Sequence, residues 1–146
     1  MKEDIIYRKA KIDDLQAIVQ LLVDDGLGSR RESCSNIEPY LKAFDLIDRD
    51  LAQMLVAMCI GNKIIGTCHL TLMPSLTFQG SMRLNIEAVR VDSELRGNSY
   101  GKKLIRWAVS YGKIHGASII QLATNKEREK AKSFYEKLGF IASHEG

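Results

Sequence analysis

The chain has 146 residues, of which 45% are hydrophobic and 27% are charged. This is enough chain for one substantial hydrophobic core, so residues 1–146 are predicted to form a single domain. No apolar run reaches the roughly 18–20 residues of a membrane-spanning helix, and the acidic N-terminus does not fit a signal peptide. Three cysteines without C-x-x-C spacing argue against a disulfide framework or a zinc site. We therefore expect a cytoplasmic protein with no metal and no membrane partner.

The net charge of +3 conceals an uneven distribution of charge along the chain. Residues 96–138 hold ten Lys and Arg against three Glu, whereas the remainder holds eleven basic against fifteen acidic residues. A basic segment favours an anionic ligand, either a phosphorylated cofactor or a nucleic acid, but helical lysines also simply solvate a surface. Composition alone does not choose among these three interpretations.

Hydrophobic periodicity and turn residues predict the secondary structure in chain order. The first half is predicted to contain a strand at 5–10, a helix capped by Asp13, a helix at 37–49, and strands at 52–60, 63–73 and 81–91. The second half is predicted to contain a helix at 99–115, a strand at 118–123, a helix at 127–138 and a strand at 140–143. The order β-α-α-β-β-β-α-β-α-β predicts an α/β fold with a mixed, mostly antiparallel sheet and one parallel junction. The chain stops soon after the last predicted strand, which leaves open a final hairpin strand beyond it.

The most informative segment is the passage from the strand at 81–91 into the helix at 99–115. A short polar link leads into the loop Arg96-Gly97-Asn98-Ser99-Tyr100-Gly101. A glycine-bearing loop that opens a helix presents free backbone N–H groups at the positive end of the helix dipole, which is a common way to bind phosphate. The loop matches neither G-x-x-x-x-G-K-[ST] nor G-x-G-x-x-G. It therefore predicts a phosphate site of another type.

Two segments, EAVRVDSELRGNSYGKKLIRWA (87–108) and TNKEREKAKSFYEKLGF (124–140), together resemble the GNAT superfamily of acetyl-CoA-dependent N-acetyltransferases. The first is similar to the family's acetyl-CoA loop, [QR]-x-x-G-x-[GA], with Ser99 where the family most often has glycine. The second is similar to the family's N…A…FYEKLGF element. The resemblance implies a twisted sheet with helices on both faces, in which the parallel fourth and fifth strands splay apart.

The resemblance also implies direct transfer of acetyl from acetyl-CoA to a primary amine, without a metal. The loop amides would bind the pyrophosphate, the fourth strand and Asn125 would bind the pantetheine arm, and the cationic residues would face the polyanionic coenzyme. The positions implied to bind the coenzyme are Val89, Arg90, Val91, Arg96, Gly97, Asn98, Ser99, Tyr100, Gly101, Lys102, Asn125 and Lys132.

Two residues are implied to be catalytic, namely Tyr135 and Glu87. Tyr135 would protonate the departing thiolate, because the tyrosine reference pKa of ~10 exceeds that of a thiol at ~8.5. The alternative is an aromatic side chain that only packs. Glu87 would act as the base, directly if buried or through water, since a free glutamate pKa of ~4.3 is a poor match to an amine. The alternatives for Glu87 are orienting the substrate or pairing with Arg83 or Arg90. The N–H of Val89 would stabilise the oxyanion.

The acceptor is less well indicated. Arg30 and Arg31 lie in the segment that, by resemblance, roofs the acceptor pocket, and paired arginines suit a carboxylate or phosphonate. With Glu87 they predict a small-molecule amine that bears an acidic group, although solvated loop arginines explain them nearly as well. Cys34 beside these arginines is interpreted as a loop cysteine rather than a nucleophile. His69, His115 and His144 are given structural roles.

Two other functional classes stay open at this level. A degenerate relative that binds coenzyme A as a regulatory module is favoured only by Ser99. A nucleic-acid binder is disfavoured because no nucleic-acid-binding motif accompanies the basic segment. A homodimer is plausible from the resemblance alone.

Overall fold

The computed structural model describes residues 4–24, 31–95, 97–124 and 129–143. The helices and strands are β1 (Ile5–Lys9), α1 (Leu15–Val23), α2 (Glu38–Arg49), β2 (Gln53–Ile60), β3 (Lys63–Pro74), β4 (Met82–Val91), α3 (Tyr100–Ile114), β5 (Ala117–Leu122) and α4 (Glu129–Lys137). Short helical turns at Ile12–Asp14, Thr77–Gly80 and Ser93–Leu95 lie between them. None of the described helices has both the length and the apolar character needed to cross a lipid bilayer.

The predicted order of elements is confirmed except at its end, because residues 140–143 form no strand. Phe140 is instead drawn back onto α4: its N–H donates to the carbonyl of Tyr135 at 3.1 Å. Its ring also meets that of Tyr135 edge-on, with the centroids 5.9 Å apart. The backbone bond and the ring contact hold this segment against the helix end rather than beside a strand.

The five strands form one sheet in the order β1-β2-β3-β4-β5. Neighbouring strands are antiparallel except β4 and β5, which are parallel. The parallel pairing runs only from Met82 opposite Ala117 to Ile86 opposite Leu122. Beyond that point β4 continues to Val91 and is paired only with β3. The mixed, mostly antiparallel α/β fold with a parallel β4/β5 pair is thus as predicted, and β4 extends past the end of β5 at Leu122.

Two hydrophobic clusters cover the two faces of the sheet, because successive side chains of a strand point to opposite faces. One cluster joins the sheet to α3 and α4, and its largest fully buried members are Val56, Met58, Ile65, Leu70, Leu84, Ile86, Leu104 and Ile105. The other joins the sheet to α1 and α2 through Ala10, Leu15, Ile18, Val19, Phe44, Ala57 and Cys59. The helices therefore lie on both faces of the sheet, as predicted.

Close packing of α3 depends on Gly112. A Cβ placed at this position would lie 2.9 Å from Leu84 Cδ2 and 2.9 Å from Ile120 Cδ1. Such distances are well inside van der Waals contact, so a larger residue would displace the ends of these two side chains or move this end of the helix away from β4 and β5.

The N-terminus of α1 differs from the prediction. A helical turn at Ile12–Asp14 precedes the helix, so the N-cap is Asp14 and not Asp13. The Asp14 carboxylate accepts two hydrogen bonds from Arg8, at 2.6 and 3.0 Å, and one from the Lys11 N–H at 2.7 Å. The Arg8 hydrogen bond is the main reason why the pKa of Asp14 lies below its usual value. Asp14 thus joins β1 to the start of α1.

Candidate active site

A β-bulge in β4 follows the point where its pairing with β5 ends. Thr67 faces Arg90 and His69 faces Glu87, so Cys68 between them is opposed by both Ala88 and Val89. Ala88 has φ 53°, a left-handed conformation that is uncommon for a residue with a Cβ. The extra residue bends the strand and changes which backbone groups face β5.

The open edge of β4 is formed by main-chain groups after the bulge. The Asp92 N–H donates to the Ile65 carbonyl of β3 at 2.8 Å. Peptide groups alternate in direction along a strand, so those of Val91 and Val89 face the gap beside β5. The Val89 carbonyl accepts a hydrogen bond from Arg90 Nη1 at 2.9 Å. The Val89 and Val91 N–H groups are thus directed toward the space where an extended amide-bearing ligand would pair.

The N-terminus of α3 lies at the end of this gap and has no side-chain cap. Ser99 occupies the N-cap position with φ 64°, and its side chain accepts no capping hydrogen bond. The first backbone bond of the helix joins the Lys103 N–H to the Ser99 carbonyl at 3.1 Å. The N–H groups of Tyr100, Gly101 and Lys102 therefore have no acceptor within the helix. Such a terminus is suited to an anion.

The loop before α3 is shaped by Gly97 and Asn98. Gly97 has φ +87° and open space around it, and Asn98 Nδ2 donates to the Leu95 carbonyl at 3.1 Å. Lys102 is half-buried, while Lys132 of α4 is exposed. The predicted Arg96 and Asn125 lie outside the described residues. The part of the loop that is described has the shape of an anion-binding turn with cations nearby.

Glu87 lies on the sheet face that carries α1 and α2, and its side chain is 53% exposed. Asn85 Nδ2 donates to Glu87 Oε1 at 3.3 Å, and the same oxygen lies 3.8 Å from His69 Nδ1. Arg83, a predicted partner, points its guanidinium elsewhere and donates to Ser75 Oγ, Thr77 Oγ1 and Gln121 Oε1. Glu87 is therefore an accessible carboxylate beside an imidazole, not a member of an ion pair with Arg83.

His69 is the site residue that sequence reasoning missed. It lies on β3 opposite Glu87, its side chain is 18% exposed, and its Nε2 is 2.7 Å from Gln53 Oε1. Burial lowers the pKa of His69, and the neighbouring Glu87 carboxylate opposes that shift. A histidine and a glutamate 18 positions apart in sequence give no recognisable motif. Only the register of β3 against β4 brings them together.

A polar strip crosses the sheet on this face and borders an apolar cavity. The strip consists of Gln53, His69, Glu87, Asn85, Gln121 and Arg83, each within hydrogen-bonding or ion-pairing distance of the next. The cavity, of about 140 Å³, is lined mainly by apolar side chains of α1 and α2, and its polar lining side chains are Tyr40, Thr67 and His69. A small molecule in this cavity would have its polar groups beside His69.

Tyr135 lies on the other face of the sheet. It is half-buried on α4, packs against the cluster that contains α3, and meets the Phe134 ring edge-on with the centroids 5.2 Å apart. Glu87 and Tyr135 therefore lie on opposite faces of the sheet. A ligand that passes through the gap after Ile86 would have the carboxylate on one side and the phenol on the other.

The predicted acceptor arginines are only partly described. Arg31 is exposed, and Arg30 lies outside the described residues. The segment after Arg31 is tied to α2, because Tyr40 Oη donates to Glu32 Oε1 at 3.0 Å and accepts from the Ser33 N–H at 3.0 Å. Tyr40, to which this segment is bonded, lines the apolar cavity.

Within residues 4–24, 31–95, 97–124 and 129–143, no three His, Cys, Asp or Glu side chains are grouped closely enough to hold a metal ion. The three cysteines are free thiols. Burial raises the pKa of Cys68 to about 12, so it stays a thiol. The Cys34 Sγ donates to Gln20 Oε1 at 3.1 Å, away from the polar strip.

Comparison with known proteins agrees with this geometry. The family described as the acetyltransferase (GNAT) family matches residues 15–140. The chain belongs to that family, which confirms the resemblance found in its two motifs. The crystal structure of a protein from Bacillus halodurans C-125, named a transcriptional regulator, is 42% identical, has a TM-score of 0.94, and is matched over 98% of this chain and 97% of that one.

Two further relatives are more distant. A Trypanosoma brucei acetyltransferase structure is 26% identical with a TM-score of 0.73, over 98% of this chain and 96% of that chain. The glucosamine 6-phosphate N-acetyltransferase of Trypanosoma brucei brucei is 37% identical over 80 residues, which are 55% of this chain and 52% of that protein. The chain thus matches only about half the length of this curated relative.

Proposed function

We propose that the protein transfers an acetyl group from acetyl-CoA to the primary amine of a small acceptor. One observation carries the proposal: the open edge of β4 after Ile86 meets the uncapped N-terminus of α3. A ligand with an extended, amide-bearing arm that ends in a diphosphate would pair with the open edge of β4 and place its phosphates at the N-terminus of α3. Acetyl-CoA would supply an acetyl thioester, and the residues around the gap would bind and orient it.

We assign the coenzyme contacts by group. The N–H groups of Tyr100, Gly101 and Lys102, with the loop at Gly97, Asn98 and Ser99, receive the phosphates. Main-chain groups of Val89 and Val91 pair with the amide-bearing arm, and the Arg90 side chain braces the Val89 carbonyl. Lys102 and Lys132 add positive charge. Arg96 and Asn125 are included on the basis of the motifs alone.

The catalytic roles follow from the two faces of the sheet. Tyr135 donates its phenolic proton to the leaving sulfur, because its hydroxyl is a weaker acid than a thiol. The Val89 N–H stabilises negative charge on the carbonyl oxygen. Glu87, on the acceptor side, orients the amine and helps to remove its proton. Its partial exposure lets an amine reach it.

The acceptor that fits best is a small amine bearing an acidic group. Arg83 supports this choice, because its guanidinium is half-buried at one end of the polar strip and its hydrogen-bond acceptors there are neutral oxygens. A cation held in this way can still receive an anionic group. Arg30 and Arg31 provide further positive charge. The glucosamine 6-phosphate N-acetyltransferase relative carries an amino sugar phosphate in its name, which is an acceptor of this class.

The test is a panel of amines scored for release of the coenzyme A thiol from acetyl-CoA. The panel pairs each acidic amine with its neutral analogue, such as an amino sugar phosphate with the free amino sugar. We expect turnover with the acidic member and a KM at least tenfold higher for the neutral one. Arg83→Gln should remove this difference between the pair. Equal use of both members would contradict the acidic acceptor, and no thiol release from any amine would contradict the enzyme.

A second candidate is a regulatory module that binds coenzyme A without catalysis. It is favoured by the 42% identical structure named a transcriptional regulator, and by Ser99 in the phosphate loop. Calorimetry with acetyl-CoA distinguishes the two. Affinity for acetyl-CoA without turnover on the amine panel favours the module, and affinity with turnover favours the enzyme.

A further inference from the structure

Four polar side chains form a continuous chain from the turn before β2 to β4. The Asp50 carboxylate accepts a hydrogen bond from Gln53 Nε2 at 2.9 Å. Gln53 Oε1 lies 2.7 Å from His69 Nε2. His69 Nδ1, on the other side of the ring, lies 3.8 Å from Glu87 Oε1. Within this chain His69 also lines the apolar cavity, where we place the acceptor.

The chemistry of these groups determines which imidazole nitrogen carries the proton. The pKa of Asp50 is lowered by the hydrogen bonds from Gln53 and from the Ala52 N–H, so Asp50 is a carboxylate and only accepts. The amide NH₂ of Gln53 must therefore face Asp50, which leaves the amide oxygen facing His69. An oxygen in that place accepts a hydrogen bond, so His69 Nε2 carries hydrogen. In the neutral ring Nδ1 is then the basic nitrogen.

When His69 is neutral, neither its Nδ1 nor the Glu87 carboxylate carries a hydrogen that it could donate to the other. A lone pair and a carboxylate oxygen 3.8 Å apart do not bond to each other. Both would be satisfied by a nitrogen that lies beside them and donates one N–H to each, and the ammonium group of an acceptor provides such donors. The ionisable groups that face His69 are Glu87 from β4 and Tyr40 from α2, which lines the same cavity. Burial favours the neutral ring by lowering the pKa of His69.

We propose that His69 Nδ1 accepts the proton of the acceptor amine beside Glu87, and that Gln53 is the positioning residue that holds His69 in the required tautomer. This inference rests on the proposed acetyl transfer. The ammonium N–H bond breaks, its proton moves to Nδ1, and the freed nitrogen lone pair forms the bond to the acetyl carbon. The carbon–sulfur bond breaks with its electron pair on sulfur, which takes a proton from Tyr135. The amine keeps one N–H, and its last excess proton leaves through Glu87 to solvent. His69 then releases its proton to solvent and Tyr135 regains one from solvent, so one proton is released for each amide and thiol formed.

His69 is a better candidate than Glu87 alone for accepting the proton of the acceptor amine. An imidazole has a reference pKa near ~6.5, whereas a free carboxylate near ~4.3 is a weaker base for an amine. The carboxylate instead stabilises the imidazolium that forms. The Asp50–Gln53 pair ensures that the proton arrives at Nδ1, on the side of Glu87.

The tautomer is tested directly by ¹⁵N NMR of the imidazole nitrogens, without any turnover. The chain has three histidines, and His115→Gln serves as the control. We expect neutral His69 in the wild type to carry hydrogen on Nε2, and Gln53→Leu to give a mixture of tautomers. The double variant Asp50→Asn/Gln53→Glu keeps each hydrogen bond but moves a negative charge next to His69, so the pKa of His69 should rise. A neutral His69 with hydrogen on Nδ1 in the wild type would overturn the inference.

The proton transfer is tested by the pH dependence of kcat/KM for thiol release with an active amine. We expect kcat to fall on the order of 10²-fold in His69→Gln and about tenfold in Gln53→Leu, with the KM for acetyl-CoA unchanged. In the double variant the acidic limb of the profile should move to higher pH together with the NMR pKa. If the pKa of His69 moves but the acidic limb of the pH profile does not, the role of His69 as proton acceptor is overturned. If no amine is acetylated, the proposed function and this role both fail, while NMR alone still decides the tautomer.

Discussion

Ile86 and Leu122 are the last residues at which β4 and β5 pair, because β5 ends at Leu122 while β4 continues to Val91. The bulge at Ala88 follows within two residues on β4. Beyond this pair β4 is paired only with β3, and Glu87 lies on the side of α1 and α2 while Tyr135 lies on the side of α3 and α4. In the proposed reaction the donor and the acceptor would approach this end of the sheet from opposite faces.

Removal of the Tyr135 hydroxyl should slow the reaction without weakening coenzyme binding. We expect Tyr135→Phe to lower kcat by about 10²-fold, since general acid catalysis is typically worth at least that much. Thiol release measures kcat, and calorimetry with coenzyme A should show an unchanged Kd. Tyr111→Phe is the matched control, because Tyr111 stacks between Trp107 and His115 on α3. Unchanged kcat in Tyr135→Phe would refute the acid role.

The loop before α3 should depend on the backbone freedom of Gly97. Gly97 and Gly116 share φ +87°, and each has no atom within 4 Å of an added Cβ. Alanine at either position strains the backbone by about 1–2 kcal/mol. We expect Gly97→Ala and Gly116→Ala to lose similar stability in urea unfolding, but only Gly97→Ala to weaken coenzyme A binding by several-fold. Equal Kd values for the two variants would exclude the loop from the coenzyme site.

Asp14, rather than its neighbour Asp13, should stabilise the start of α1. Asp14→Asn loses the charge that holds Arg8, and we expect a cost of about 1–2 kcal/mol, against less than about 0.5 kcal/mol for Asp13→Asn. Because the folded-state pKa of Asp14 is lowered, its contribution is present above the unfolded value of 3.8 and is lost as the pH falls below it. Urea unfolding at pH 7 and pH 3 measures both effects. A larger loss of unfolding free energy in Asp13→Asn than in Asp14→Asn would instead support Asp13 as the N-cap, as predicted from the sequence.

His69 should make the folded state less stable in mild acid. Its pKa is lowered from 6.5 by burial, so below pH 6.5 the unfolded chain binds a proton that folded His69 binds less readily. Stability is therefore highest above pH 6.5 and falls as the pH drops below it, by up to about 1 kcal/mol over the first pH unit. The fall in stability with decreasing pH should be smaller in His69→Gln and should persist in His115→Gln. Urea unfolding at pH 7.5 and 5.5 distinguishes them, and an equal slope in all three proteins would contradict the burial of His69.

The element types were predictable because each leaves a local pattern. The hairpin at Gly61-Asn62, the glycine after α3 and the alternation within β2 to β4 all depend on neighbours in sequence. The errors are at places where a tertiary contact competes with local preference. Asp13 has the local features of a cap, but the position of Arg8 favours Asp14. Residues 140–143 have the composition of a strand, but Phe140 is held against Tyr135.

The candidate site was predictable only in part for the same reason. The loop from Gly97 to Gly101 and the segment around Tyr135 carry their signal in contiguous residues. His69 and Gln53 carry none, since each is an ordinary polar residue in its own strand. Their relation to Glu87 depends on the bulge at Ala88, which sets the register of β3 against β4.

The amino-acid sequence by itself determined the order of strands and helices, the phosphate-type loop and membership of the GNAT family, because these follow from short-range periodicity and contiguous motifs. The tertiary structure alone decided where the pairing of β4 with β5 ends, which aspartate occupies the N-cap position of α1, and that Gln53, His69 and Glu87 form one chain. Those relationships join residues from different strands, and their distances are set by sheet register and packing, which no local pattern encodes.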